Sequence, residues 1–336
     1  MSRLLKVTDI KVDFPIGKVG FFGRQTAYVR AVDGVSFEIQ RGETLGLVGE
    51  SGSGKTTLGR AVLRALEPTS GQIVYEHNDT SVDIMGLDRN GLRAMWRHMQ
   101  MIFQDPYSSL NPRMTVRDVI GEPLIANKMA KGSALNDRVV DMAQRCGLNV
   151  GHLSRFPHAF SGGQRQRIAI ARALILHPEF IVCDEAVSAL DVSIQAQILN
   201  LLTDLQVQLN LTYLFIAHDL AAVAYACDRV AVMYLGQIVE IATTEKLYYT
   251  PKHPYTEALM SAIPIPDLQQ EAKRRPIVLQ GDVPNPADPP SGCRFHPRCP
   301  LVTDLCHIED PPERNFGSDE TPHWVSCHHA QEGPVG

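Results

Sequence analysis

Gly49-Glu50-Ser51-Gly52-Ser53-Gly54-Lys55-Thr56-Thr57 is a complete G-x-x-x-x-G-K-[ST] loop, and Thr44-Leu45-Gly46-Leu47-Val48 before it is the short apolar run of a strand that feeds such a loop. Glycines at 49, 52 and 54 let the backbone curl until successive N–H groups face inward. A helix opening near Gly54 adds the positive end of its dipole. The stretch predicts a cradle for the phosphates of a nucleoside triphosphate. Lys55 would reach the β- and γ-phosphates, the Thr56 hydroxyl would ligate Mg²⁺, and Glu50, Ser51, Ser53 and Thr57 complete the lining. Taken alone, the loop also admits a plainer reading as a glycine-rich turn before an ordinary helix.

Outward from the loop, strands alternate with helices. The first forty residues alternate apolar and polar positions, as in Val35-Ser36-Phe37-Glu38-Ile39, and predict antiparallel strands with one wet face. After the loop the pattern gives a helix to about Leu66 and a strand at 72–75. Residues from about 91 to 160 read mostly helical around a strand at 99–103 and the turn-rich Asp105-Pro106-Tyr107-Ser108-Ser109-Leu110-Asn111-Pro112. They predict a helical subdomain inserted into an α/β core. Helices near 164–176 and 193–209, strands at 180–183, 211–216, 229–234 and 237–241, and helices near 244–249 and 255–262 imply a mostly parallel sheet with helices. The expected domain therefore covers 1–263. Beyond it Pro284, Pro286, Pro289, Pro290, Pro297 and Pro300 crowd together, so 264–336 is expected to be a loop-rich appendage.

The 336 residues are 44% hydrophobic and 21% charged with a net charge of -5, a composition that can bury a sizeable core and offers no basic footprint for nucleic acid. No stretch approaches the roughly 18 uninterrupted apolar residues of a membrane span, and Met1-Ser2-Arg3-Leu4-Leu5-Lys6 lacks an apolar signal core. The expected compartment is the cytoplasm. Of seven cysteines, Cys146, Cys183 and Cys227 are isolated in apolar surroundings and read as small buried hydrophobes. The other four, Cys293, Cys299, Cys306 and Cys327, fall together near the C-terminus, a grouping that in a reducing compartment points to a metal or cluster.

Triphosphate hydrolysis needs a metal, an in-line water and positive charge on the phosphate oxygens. Phe180-Ile181-Val182-Cys183-Asp184-Glu185 reads as an apolar strand ending in two carboxylates, Asp184 for the metal and Glu185 facing the water. It lies between Ser161-Gly162-Gly163-Gln164 and Ser188-Ala189-Leu190-Asp191. With these motifs the chain resembles the ATPase subunit of ATP-binding cassette (ABC) transporters. The resemblance implies that two such domains close head to tail around two ATP molecules. Ser161, Gly162, Gly163 and Gln164 of one then cover the phosphates held by the other, and Asp191 links the two sites. It further implies that Gln104 contacts Mg²⁺ and water and senses the membrane subunit, and that His218 touches the γ-phosphate and helps hold Glu185. Tyr28 is the candidate for adenine stacking, with Phe21 and Phe22 as rivals. Ala186 stands where related subunits usually carry proline, which predicts slower or unchanged hydrolysis.

Phe103-Gln104-Asp105-Pro106-Tyr107, Met233-Tyr234-Leu235-Gly236, His253-Pro254-Tyr255-Thr256 and Gly292-Cys293-Arg294-Phe295-His296-Pro297-Arg298-Cys299-Pro300 narrow the likeness to the oligopeptide/dipeptide importer branch, nearer its second ATPase subunit. That branch implies pairing with a different ATPase chain on the cytoplasmic face of the cell membrane, beneath two permease subunits fed by an extracytoplasmic binding protein. Peptides are the expected cargo, with nickel chelates, glutathione and oligosaccharides as alternatives. In some members of the branch the four cysteines hold an iron–sulfur cluster. Here they are separated by five, six and twenty residues, without the close pairs of structural zinc sites. A [4Fe–4S] cluster is favoured over zinc, to which His296, His307 or His323 could contribute, and over free thiols. A nucleic-acid-handling cassette ATPase is the competing reading from a different class, ranked behind the same importer with another cargo. The 57-residue step from 104 to 161 fits a compact helical subdomain better than the long insertions of that class.

Overall fold

Strand β1 (Arg3–Ile16) alternates buried and accessible side chains over much of its length, the period of a sheet with one covered face. At Asp9 the backbone takes a left-handed φ of 48°, and the register shifts between Thr8 and Lys11, a bulge that bends the strand. The computed structural model describes residues 2–16, 27–77, 80–188, 190–263 and 276–330. They fall into two compact units, one of residues 1–3, 39–44 and 86–217 and the other of 4–38, 45–85 and 218–336.

The unit containing the phosphate loop begins with β1 and β2 (Ala27–Gln40), then β3 (Thr44–Val48), α1 (Lys55–Val62), β4 (Ser70–His77) and β5 (Thr80–Asp83). A four-stranded sheet runs in the order β2-β1-β4-β5, in which β4 is antiparallel to both β1 and β5. The helix expected through Leu66 stops at Val62. Arg64 adopts a left-handed φ of 49°, and the N–H groups of Ala65 and Leu66 both turn back to the Arg60 carbonyl. Strand β3 is buried at all five positions, as a parallel strand covered on both faces must be.

This unit resumes with α8 (Leu220–Ala226), β9 (Arg229–Tyr234), β10 (Gln237–Thr243), α9 (Thr244–Tyr249) and α10 (Pro254–Ser261). It ends in α11 (Asp304–Ile308), β11 (Glu313–Asn315) and β12 (Trp324–Ser326). Strand β9 is parallel to β3 and antiparallel to β10, β10 is antiparallel to β12, and β12 to β11. The C-terminal region is thus more than loops, since its hairpin extends the sheet beyond β10. Phe295 anchors it further, with its ring centroid 5.3 Å from Tyr234 on β9 and 5.5 Å from Tyr255 on α10.

The other unit holds α2 (Arg89–Met95), β6 (Met99–Ile102), α3 (Pro106–Ser109), α4 (Val116–Ala126), α5 (Gly132–Arg145), α6 (Gly162–Leu174), β7 (Phe180–Asp184), α7 (Val192–Leu209) and β8 (Thr212–Ile216). Strands β6, β7 and β8 pair in parallel. Helix α4 packs on α5 and α6. Cys146, Cys183 and Cys227 are buried, as their apolar surroundings predicted. Among the described residues no helix is long and apolar enough to cross a membrane.

Candidate functional site

The loop between β3 and α1 is shaped by glycines that nothing larger could replace. A Cβ at Gly49 (φ 151°) would lie 2.1 Å from the Met233 carbonyl oxygen, and one at Gly54 (φ 105°) 2.1 Å from that of Ala31. Gly54 is also the N-cap of α1 and brings no side-chain cap, so the helix presents its first N–H groups as an anion seat. The buried Lys55 folds back over the loop. Its Nζ donates to the carbonyls of Gly49 and Glu50 at 2.8 Å each and to Ser53 Oγ at 3.3 Å. Ser51 and Gly52 are exposed at the tip, while Thr56 and Thr57 are half-buried in the first turn. Oriented N–H donors, an ammonium and a hydroxyl make a seat for a polyanion.

In the other unit, β7 ends in the buried Asp184, and the chain turns sharply at Glu185, whose φ is 48°. Left-handed backbone at a residue other than glycine is strained and persists only where its surroundings fix it. Here the Glu185 N–H donates to the Ile216 carbonyl at 2.9 Å, and the Glu185 carbonyl accepts from Ser188 N–H at 3.1 Å and Ser188 Oγ at 3.0 Å. Gln104, exposed two residues beyond β6, donates from Nε2 to Glu185 Oε2 at 2.9 Å. Two residues that the sequence placed 81 apart are therefore in direct contact.

Ser161 and Gln164 form a reciprocal cap on α6. Ser161 Oγ accepts from Gln164 N–H at 3.4 Å, and Gln164 Oε1 from Ser161 N–H at 3.1 Å, a capping box. The Gln164 side chain thus serves its own helix. Gly162 is partly exposed, whereas Gly163 is buried against Ile194 of α7. Asp191 caps α7, accepting from Ile194 N–H at 3.0 Å. His218 is exposed two residues past β8, and Tyr28 is exposed on β2. Phe21 and Phe22 lie outside the described residues.

The C-terminal cysteines share one neighbourhood. Cys293, Cys306 and Cys327 are buried, Cys299 is half-buried, and none of the four is in a disulfide. Cys293 N–H donates to the Cys306 carbonyl at 2.9 Å. Burial pushes the Cys293 thiol up to about 11 and raises Cys299 and Cys327 as well, with neighbouring cysteines adding to each rise. Such thiols stay protonated near neutral pH until a bound cation stabilises the thiolate. Soft sulfur donors suit zinc or iron. Among the described residues no three cysteine sulfurs gather within 4.8 Å of one another, whereas one tetrahedral zinc would hold thiolates about 3.8 Å apart. His323 is committed elsewhere, with Nε2 2.6 Å from Glu240 Oε1.

Sequence reading missed three partners of the phosphate loop's unit. Tyr255 accepts from Glu50 N–H at 2.9 Å, Arg298 pairs with the Glu50 carboxylate, and Arg294 binds Asp33 and the Leu235 carbonyl. No spacing rule links positions 248 residues apart.

The chain is similar to known proteins along nearly its whole length. The ABC transporter family matches residues 32–188, and the family "Oligopeptide/dipeptide transporter, C-terminal region" matches 239–306. The oligopeptide transport ATP-binding protein AppF of Bacillus subtilis is 49% identical over 328 residues, 97% of each chain. The probable peptide ABC transporter ATP-binding protein y4tS of Sinorhizobium fredii is 51% identical over 93% of this chain and 86% of its own. Among solved structures, cbiO1 of Clostridium perfringens, part of the cbiONQ ABC transporter complex, superposes with a TM-score of 0.62 at 26% identity, covering 74% of this chain and 91% of that one. The cassette MJ0796, in a dimer bound to ADP and Pi, superposes with a TM-score of 0.61 at 24% identity over 72% of this chain and 99% of its own, and shares the fold.

Proposed function

Because the chain belongs to the ABC transporter family and carries the oligopeptide/dipeptide type of C-terminal region, we propose that it is the ATP-hydrolysing subunit of a peptide importer, peripheral to the cytoplasmic face of the cell membrane. The observation that carries the reading is Glu185, an acidic side chain held at a strained turn and met by the Gln104 amide at 2.9 Å. In this reading Glu185 takes the proton of the attacking water, and Gln104 orients both. Lys55 and the N–H groups of residues 49–57 neutralise the phosphates. His218 contacts the γ-phosphate, and Tyr28 stacks on adenine. Magnesium, when bound, draws charge from the β- and γ-phosphates. The Thr56 hydroxyl, the Asp184 carboxylate and the Gln104 carbonyl are oxygen donors of the hard kind it takes.

The active form is a pair of ATPase chains in which Ser161, Gly162, Gly163 and Asp191 of one complete the site of the other. The second chain is a different one, and the pair drives two permeases fed by a binding protein. Replacing Glu185 by Gln should retain ATP binding and slow hydrolysis by about 10²-fold or more. A near-normal rate in that variant would sink the assignment of the base. Cys293, Cys299, Cys306 and Cys327 are proposed to hold a [4Fe–4S] cluster, a reading supported by their grouping in one segment, where neighbouring cysteines raise one another's thiols. Anaerobically purified protein should then be brown and contain iron. Stoichiometric zinc in colourless protein overturns that assignment.

A further inference from the structure

The phosphate loop has a partner that the proposed mechanism leaves unused. Glu50, its second residue, is gripped by a guanidinium from near the other end of the chain. Arg298 Nη1 donates to Glu50 Oε2 at 2.7 Å and Nη2 donates to Oε1 at 3.0 Å. The Arg298 side chain is 6% exposed and that of Glu50 28%, so this is a two-pronged pair largely withdrawn from water, the strong class of ion pair. The carboxylate holds the guanidinium still more firmly charged than usual. Arg298 also lies 5.9 Å from the centre of the Tyr234 ring. On the other side, the Glu50 N–H is tied to Tyr255 and its carbonyl to Lys55. Glu50 is thereby fixed at backbone and side chain alike.

A carboxylate is an awkward neighbour for an anion seat, because its charge opposes the phosphates that the N–H groups and Lys55 attract. Arg298 cancels that charge. It stands between Cys293 and Cys299 on the segment that Phe295 and Arg294 fasten to the same unit. Its position therefore depends on how the cysteine-bearing segment is folded.

We propose that Arg298 is a positioning residue of the phosphate loop, which holds and neutralises Glu50 and thereby makes nucleotide affinity depend on the C-terminal cysteine-bearing segment. The proposal rests on the loop's reading as the nucleotide seat. The test is equilibrium binding of a fluorescent N-methylanthraniloyl ATP to the full chain in a double-mutant cycle. Arg298→Met should weaken binding about tenfold, and adding Glu50→Gln to it, which removes the charge left uncovered, should bring affinity back to within about twofold of the native chain. No loss on Arg298→Met, or a loss that Glu50→Gln does not rescue, overturns the proposal, since a merely structural arginine would not register the neighbouring carboxylate. If Arg298→Met does not fold by circular dichroism, the cycle runs with Arg298→Lys. That variant keeps the charge but not the fork and should bind about threefold more weakly, again relieved by Glu50→Gln; absence of relief overturns the proposal. Lys55→Ala separates the two readings. Its loss of binding upholds the loop as the seat whatever Arg298 does, and undiminished binding would overturn the loop reading itself.

Discussion

Burial holds His253 neutral, its pKa pushed down to about 4 by lost hydration that outweighs the upward pull of the Glu240 carboxylate. The ring is used in that form, since its Nδ1 accepts the Tyr255 N–H at 3.0 Å and so caps α10. His323 faces the same Glu240, which also accepts the N–H groups of Lys252 and His253. An unfolded histidine takes its proton near 6.5. Between there and pH 4 the unfolded chain therefore binds a proton that the folded chain lacks, and stability must fall as pH falls through that window. The size is about 3 kcal/mol. His253→Asn keeps an acceptor for Tyr255 and removes the titration. Urea midpoints at pH 7.5 and 5 should converge more closely in that variant than in the native protein, and equal acid losses would show that His253 charges within the fold. None of this was visible in His253-Pro254-Tyr255-Thr256, which marked a branch of the family without showing that its histidine is a buried cap. The shape of the phosphate loop, by contrast, was legible, because its determinants are local: the glycines and Lys55 that set it lie within seven positions of one another.

At the scale of elements, helix α6 is pressed against α7 at a point that tolerates no side chain. A Cβ at Gly163 would lie 2.4 Å from Ile194 Cγ2, closer than any packed pair of carbons can approach. Gly163→Ala should cost about 1–3 kcal/mol in thermal or urea unfolding, and adding Ile194→Ala should return part of it. Additive losses would show that the two helices separate freely there. The glycine thus has a packing duty beside its proposed place at a phosphate. Element boundaries divided into the legible and the hidden on physical grounds. Strands β6 to β8 and helices α6 and α7 were read almost to their ends because long apolar runs and strong caps at Ser161 and Asp191 declare them. Helix α8 escaped notice because its seven residues, Leu220 to Ala226, are all small, apolar or aromatic and offer no polar face against which a helical period could show. Its true signal is Asp219, which accepts the N–H groups of Ala221 and Ala222. Strands β11 and β12, three residues each, are defined by pairing alone, which no composition reveals.

Over the whole molecule, the sequence carries one phosphate loop and one Ser161-Gly162-Gly163-Gln164 motif, and the structure leaves the tip of each in contact with solvent: Ser51, Gly52 and Ser161 are exposed. A hydroxyl at a helix N-terminus and an anion seat, both open to solvent, are the two halves from which a shared site can be assembled. A long-range partnership such as Arg298 with Glu50 was unreadable because only folding brings the two together, whereas Gln104 and Glu185 had been set at one water by the resemblance alone. A partnership between chains was readable in outline because the motifs are single. ATP should therefore act as an intermolecular glue. With Mg²⁺ and ATP, Glu185→Gln protein, alone or mixed with the different ATPase chain proposed as its partner, should move in light scattering from the 37.1 kDa of this chain to the mass of a pair, and Lys55→Ala should remain single. For the native chains, turnover per chain should rise with chain concentration and level off once pairing saturates. A rate per chain that stays constant on dilution to the monomer overturns the shared site, because each chain would then hold everything that hydrolysis requires.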